Sequence, residues 1–213
     1  SVLFPFGSPN TMGVGALCYV SYAMIAPHTT MGAMHLEMFS DIEQADLIVV
    51  WGANPATDSP PVDLHRILQA RGRGAHVIVI DPRRTRTAKL SDARWIPVRP
   101  GTDGALALGM MRVMIDEDIY DKEYVKNYTS GFEELKEMVR GYSLEEVEKI
   151  TMVPRCDIVK AARMIAGGGP AGIMPGTGTE HQTNTVQTLR ALSILLALTG
   201  NIDVPGGNTF LSP

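Results

Sequence analysis

Cysteine is nearly missing from this chain, and that absence narrows its class before any motif is read. The 213 residues hold two cysteines, Cys18 and Cys156, far apart and in dissimilar surroundings. A disulfide framework is therefore not expected, although spacing alone leaves a single bridge open. Neither cysteine belongs to a CxxC pair, so the chain encodes no self-contained zinc or iron–sulfur site. The longest apolar runs, such as Ile48 to Val50 and Leu192 to Leu198, fall far short of the roughly 20 residues that cross a bilayer, and no direct membrane span is expected. No basic stripe is present either. The net charge is -4 at pH 7, with acids and bases spread along the chain, which argues against nucleic acid as a partner. An initiating Met, a charged leader and a signal-peptide pattern are also lacking. The chain opens on Ser1 and runs into Phe4-Pro5-Phe6-Gly7, as expected of a segment excised from a longer protein.

What is there is an alternation of strands and helices. Asp46 to Trp51 is a short continuous apolar run ended by Gly52, the pattern of a strand buried on both faces; His76 to Ile80 repeats it and ends at Asp81-Pro82. Between them Leu64, Ile67 and Leu68 recur at helical spacing and Gly72 to Gly74 supply a stop, so the unit reads as a right-handed parallel crossover. Further strands are expected at Trp95 to Val98 and Ala171 to Met174. Helices are expected behind Thr102 over Ala105 to Ile115, from a Ser143 and Glu146 capping box, from Pro154 to Ala166, and over Thr185 to Leu198. Ser40 with Glu43 predicts a short helix leading into the first strand, and the charged stretch from Asp116 to Lys149 predicts a solvated helical surface. The alternation predicts an α/β fold built on an open, doubly wound, mostly parallel sheet. With no internal repeat, 1–213 reads as one domain, with a helical lead-in over 1–40 and an α/β core over 41–213.

In such a sheet the loops leaving the C-terminal strand ends share one edge, and ligands bind there. Gly52-Ala53-Asn54-Pro55 permits close backbone approach at Gly52 and offers Asn54 as donor and acceptor, or it is a tight turn; it lacks the GxGxxG spacing. Asp81-Pro82-Arg83-Arg84-Thr85 puts an acid where ribose hydroxyls are accepted, with arginine forks for phosphate nearby, though the acid can equally cap a helix. Arg99-Pro100-Gly101-Thr102-Asp103 carries a carboxylate able to accept parallel hydrogen bonds from the N1 and N2 donors of guanine, or to cap a helix. Three such loops on one edge point to a guanine or adenine nucleotide. A fourth strand end, Gly176 to His181, adds flexible backbone and one imidazole. Met110, Met111 and Met114 read as helix core rather than a metal-binding stripe, and Cys156, on a helix between Arg155 and Asp157, reads as structural.

The strings DLIVVWGANP (Asp46 to Pro55), IDPRRTRTAKLSDARWIPVRPGTDGALALGM (Ile80 to Met110) and LTGNIDVPGGN (Leu198 to Asn208) follow one another in an order with a strong likeness. They resemble the large catalytic subunits of the molybdopterin oxidoreductase, or dimethyl sulfoxide reductase, family, which includes formate dehydrogenases and nitrate, thiosulfate, polysulfide and arsenate reductases. The resemblance implies a Rossmann-like third domain that binds the guanosine end of one of two molybdopterin guanine dinucleotides. It implies that Trp51, Gly52, Asn54 and Pro55 lie along the dinucleotide, that Asp81, Pro82 and Arg83 approach its ribose or phosphates, and that Asp103, beside Gly101, reads the guanine. Gly176, Gly178 and His181 match a loop that reaches the pterin and the active-site floor, with His181 as a catalytic candidate. GSPN at Gly7 to Asn10 and LCYVSY at Leu17 to Tyr22 resemble the stretch that bears the family's Cys, selenocysteine, Ser or Asp ligand to the metal. Cys18 falls there as metal ligand and catalytic residue; a thiolate is a soft donor suited to a high-valent metal held by dithiolene sulfurs.

For the whole enzyme the resemblance implies a molybdenum or tungsten bis(molybdopterin guanine dinucleotide) cofactor, two-electron redox chemistry, and a 4Fe-4S cluster in an N-terminal domain outside this chain. The implied partners are the remaining domains of its own catalytic subunit and an iron–sulfur electron-transfer subunit, on the cytoplasmic or periplasmic face of a prokaryotic cell. The excised piece is expected to be inactive alone. Two other classes stay open: a nicotinamide-dependent dehydrogenase domain, against which the missing GxGxxG counts, and a non-catalytic scaffold module in which Asp103 is a mere cap.

Overall fold

The computed structural model describes residues 25–32, 38–58, 62–167 and 169–210, together with residues 5 and 7. In chain order these form α1 (Ala26–Met31), β1 (Met38–Ser40), β2 (Leu47–Trp51), α2 (Val62–Gly72), β3 (His76–Ile80), α3 (Arg86–Leu90), β4 (Arg94–Ile96) and α4 (Asp103–Asp116). They continue with α5 (Lys122–Tyr128), α6 (Phe132–Arg140), α7 (Leu144–Thr151), α8 (Arg155–Gly167), β5 (Ala171–Pro175), α9 (Thr177–Glu180), α10 (Thr185–Leu198) and β6 (Asn208–Phe210). Cys18, like most of the lead-in, lies outside the described residues.

The central strands are all parallel, in the order β4-β3-β2-β5. Every residue of β2 is buried, because alternate side chains leave by opposite faces and both faces are covered. Ile48, Val50, Val77 and Val79 pack with Ile67 and Ala70 of α2. Leu47, Val49, Trp51, Ile78 and Ile80 face a larger core filled from α4, α8 and α10, where Met110, Met111 and Met114 are fully buried, as the sequence predicts. Helices on both faces of a parallel sheet make the doubly wound α/β architecture. β2 is flanked by β3 on one side and β5 on the other, so the strand order reverses between β2 and β5. That reversal opens the crevice in which open sheets bind ligands.

The lone free edge of β5 is closed by side chains rather than by another long strand. Asn208 Oδ1 accepts from the Ile173 N–H at 2.8 Å while its Nδ2 donates to the Ile173 carbonyl at 2.9 Å, so one amide imitates a strand partner. Asn201 Oδ1 accepts from the Ala171 N–H at 3.0 Å. The short antiparallel pair β1–β6 lies alongside.

Several local expectations are corrected. No helix follows Ser40: its hydroxyl donates to the Ile173 carbonyl at 2.7 Å, residues 42–44 form a turn, and Glu43 pairs with Arg66 at 2.6 Å instead of capping. β4 stops at Ile96 because Pro97 has no N–H to continue the ladder. The charged stretch after α4 is anchored as well as solvated: Val125, Val139 and Val147 are buried in the core. Gly109 lets α7 approach, since a Cβ there would lie 2.8 Å from Val147. Thr102 occupies the N-cap position of α4, but its hydroxyl donates to the Arg99 carbonyl at 2.7 Å and caps nothing. The Ser143 and Glu146 capping box forms as expected.

Candidate functional site

Register puts the strand ends level. Trp51 is paired with Ile80 and Pro175, and Ile80 with Ile96, so the loops that follow leave the sheet along one edge. A cavity of about 340 Å³ opens there, and its walls include Gly52, Asn54, Asp81, Pro82, Arg83 and Asp103, with Gly178 on the β5 side. The three polar loops read from the sequence are thus brought together. A larger groove of about 460 Å³ lies away from this edge, against α5 and α10, and no charged side chain lines it. Carboxylates, an arginine and glycine backbone converge on the smaller cavity.

Asp103 is the most constrained of these groups. It is the first residue of α4, 4% exposed, and its carboxylate is held from behind by two donors. Trp51 Nε1 donates to Oδ1 at 2.8 Å, and Gln182 Nε2 donates to Oδ2 at 3.3 Å. Burial pushes the Asp103 carboxyl above its ordinary value, the neighbouring Asp81 adds to the rise, and the hydrogen bonds from Trp51 and Gln182 oppose it. A carboxylate has about four acceptor positions, so two donors leave places for a ligand that donates from the cavity.

At the end of β3, Asp81 accepts from the Arg83 N–H at 2.8 Å through Oδ1, a local turn rather than a helix cap. The helix that follows is capped by Thr85 instead, whose hydroxyl accepts from Ala88 N–H. The Arg83 side chain is exposed and makes no hydrogen bond among the described residues. The Asn54 side chain is spent within the protein: Oδ1 accepts from the Thr87 hydroxyl of α3 at 2.8 Å, and Nδ2 donates to Thr57 of its own loop.

The loops after β2 and β5 cross at backbone contact. Gly52 has φ +65°, and a Cβ on it would come within 2.9 Å of Thr179 N; one on Gly178 would meet the Gly52 carbonyl oxygen at 2.9 Å, and one on Gly176 the Ala53 Cβ at 2.5 Å. Gly178 N–H donates to Gly52 O at 2.9 Å, which locks the crossing. Only glycine allows this approach.

Other singled-out residues stand outside the cavity wall. Trp51 is fully buried beneath it, Pro55 is buried, Gly101 and His181 are exposed nearby, and Gly176 shapes the crossing. Cys156 is free and exposed rather than packed in the core. Ala53, Thr57, Asp58, Val98, Pro100 and Thr177 also line the cavity, none of them singled out by sequence. The polar Thr57-Asp58 pair just past the first loop was a usable signal, for Asp58 accepts from the Asn54 N–H at 2.8 Å. Gln182 had none, because only the fold carries it to Asp103. Among the described residues no cluster of His, Cys, Asp and Glu has the makings of a metal site, and no helix is long and apolar enough to cross a membrane.

The model of the molybdopterin oxidoreductase family matches residues 6–212. The chain belongs to the molybdopterin oxidoreductase family. It is similar to acetylene hydratase from Syntrophotalea acetylenica, at 38% identity over 92% of this chain and 26% of the relative. It is also similar to formate dehydrogenase H from Escherichia coli, at 41% identity over 82% of this chain and 24% of the relative. A solved structure of acetylene hydratase from Pelobacter acetylenicus matches with a TM-score of 0.87 and 37% identity, covering 98% of this chain and 28% of that one. The chain therefore spans about a quarter of the length of these relatives. Membership makes it part of an enzyme with a molybdenum or tungsten pterin cofactor and displaces the nicotinamide reading. The names of the relatives run from a hydratase to dehydrogenases, so membership does not select the reaction.

Proposed function

We propose that the cavity binds the guanosine end of a molybdopterin guanine dinucleotide, in a catalytic subunit that performs two-electron redox chemistry at molybdenum or tungsten. The observation that carries this reading is Asp103, a buried carboxylate fixed from behind and open to the cavity in front. Size and charge agree with it. About 340 Å³ lies at the small end of the ~300–1,000 Å³ typical of ligand pockets, room for a nucleoside rather than a dinucleotide. Three carboxylates (Asp58, Asp81 and Asp103) face a single arginine, Arg83, which suits the donor groups of a base and a ribose better than a pyrophosphate. In this reading Asp103 accepts from guanine N1 and N2, Asp81 from ribose hydroxyls, and Arg83 meets phosphate where the pocket opens. The diphosphate then runs over the glycine crossing, where Gly52 and Gly178 line the cavity wall without side chains of their own.

When bound, the cofactor supplies the metal centre at which electrons are exchanged, and this chain's share is to hold and orient it. Cys18 is proposed as the protein ligand and His181 as a residue facing the pterin, both on the family resemblance of their surrounding sequence. A 4Fe-4S cluster in a preceding domain and an iron–sulfur partner subunit belong to the same proposal; relatives named as alpha subunits of F420-dependent formate dehydrogenases support a multi-subunit setting.

The test is nucleotide content and binding in the full-length subunit. Acid release from the purified holoprotein is expected to yield GMP, and Asp103→Ala to lower both cofactor content and GMP affinity of the cofactor-free protein by tenfold or more. If neither GMP nor GDP binds and Asp103→Ala changes nothing, Asp103 is only a helix-end residue and the scaffold reading stands.

A further inference from the structure

We infer that Gln182 is a positioning residue for base recognition, which holds the Asp103 carboxylate in the orientation that reads the ligand's N–H donors. The inference rests on the guanine reading above and goes beyond it, since nothing in the sequence motifs points to Gln182.

Two contacts fix the side-chain amide and a third holds its backbone. Its Nε2 donates to Asp103 Oδ2 at 3.3 Å and to the Thr179 carbonyl at 3.0 Å, and its backbone N–H donates to the Thr185 hydroxyl at 3.4 Å. Both acceptors lie on the Nε2 side, so the flipped amide would point an oxygen at two oxygens; the orientation is set by chemistry. Its Oε1 is buried and has no hydrogen-bond partner among the described residues. An unpaired buried carbonyl is a cost that a residue kept for packing alone would not carry. The return is at Asp103. Trp51 binds one carboxylate oxygen and Gln182 the other, both from outside the cavity wall, so turning the carboxylate plane would break a bond. Thr179, the other acceptor, is the residue whose backbone packs on Gly52, so the same amide ties base reading to the glycine crossing.

The charged groups around Asp103 are Asp81 at the end of β3, with Asp58 and Arg83 on the same cavity wall. None of these groups is hydrogen-bonded to Gln182, so Gln182→Met changes the donor to Asp103 and leaves their own bonds in place. Removing its N–H removes one of the bonds that favour the ionised carboxylate.

The experiment titrates the cofactor-free full-length subunit with GMP and with IMP, which lacks the 2-amino group, from acidic to neutral pH. The two share a phosphate, so its titration cancels in their ratio. Gln182→Met is expected to weaken GMP roughly tenfold, IMP less, and to displace the acid limb of GMP binding toward neutral pH. Gln182→Glu, which keeps the shape and replaces the donor by a second acid, is expected to move the limb the same way and further, and serves if Gln182→Met does not fold. A change in either the limb or the GMP-to-IMP ratio supports the assignment; both unmoved, with GMP and IMP weakened equally or not at all, overturns it. Failure of the unmodified subunit to bind GMP, or unchanged binding by Asp103→Ala, defeats the guanine reading itself, and this inference with it.

Discussion

Asp103 and Gly52 show how much single residues settle at this edge. Burial raises the Asp103 carboxyl above the value of 3.8 that it has when exposed. A raised carboxyl makes the folded state bind more protons than the unfolded one, so its stabilising share is full below pH 3.8 and is lost as pH rises through the raised value. Asp103→Asn should flatten that part of the stability profile, measured as the slope of denaturation midpoints against pH; an unchanged slope would remove Asp103 from the account. A ligand that donates two N–H groups favours the ionised form, so nucleotide binding should release protons in the same window. Gly52→Ala meets a left-handed φ and the Thr179 backbone together. The conformation alone costs about 1–3 kcal/mol, and the clash adds to it. Gly74→Ala, with φ +108° but nothing within 4 Å of the added Cβ, isolates the backbone cost. Chemical denaturation should rank Gly52→Ala as clearly the worse.

Among the elements, β5 depends on residues distant in sequence. Asn208 serves both the N–H and the carbonyl of Ile173 in a buried place. Asn208→Ala strands the Ile173 N–H, while the Ile173 carbonyl keeps the Ser40 hydroxyl, and should cost about 1–3 kcal/mol, whereas Thr209→Ala, beside it and partly exposed, should stay within about 0.5 kcal/mol. The loop after β5 carries the crossing glycines and Gln182, so loosening β5 should also weaken GMP binding. Loss of stability with full nucleotide affinity would separate the edge from the site.

For the molecule as a whole, cofactor and fold are linked by mass action. A nucleotide that binds only the folded state adds about 2.7 kcal/mol at a concentration of 100 times its dissociation constant. GMP should therefore protect the cofactor-free full-length subunit against unfolding, and Asp103→Ala should abolish the protection. The metal proposal is tested at this scale too. Cys18→Ala in the full-length protein should retain the pterin but lose one sulfur from the metal's X-ray absorption shell, together with turnover. Survival of both would end the role proposed for Cys18.

Local chemistry makes the sheet and its edge legible in the sequence. Strands such as DLIVVW and HVIVI announce burial on both faces by unbroken apolar composition, and the acids and glycines that follow them fall at strand ends because a parallel sheet puts those ends together. What sequence could not decide was partnership. Ser40 and Glu43 have the spacing of a helix start, yet distant acceptors and cations claim them: the Ile173 carbonyl takes the serine hydroxyl and Arg66 takes the carboxylate. Asp103 looks the same as a helix-end acid or as a base reader until Trp51 and Gln182 are seen behind it, and Gln182 is 79 residues away along the chain. Sequence determined where polar groups leave the sheet, because that follows from local periodicity. Tertiary structure alone decided which of them is aimed, because a hydrogen bond is made by proximity in space and leaves no spacing to read.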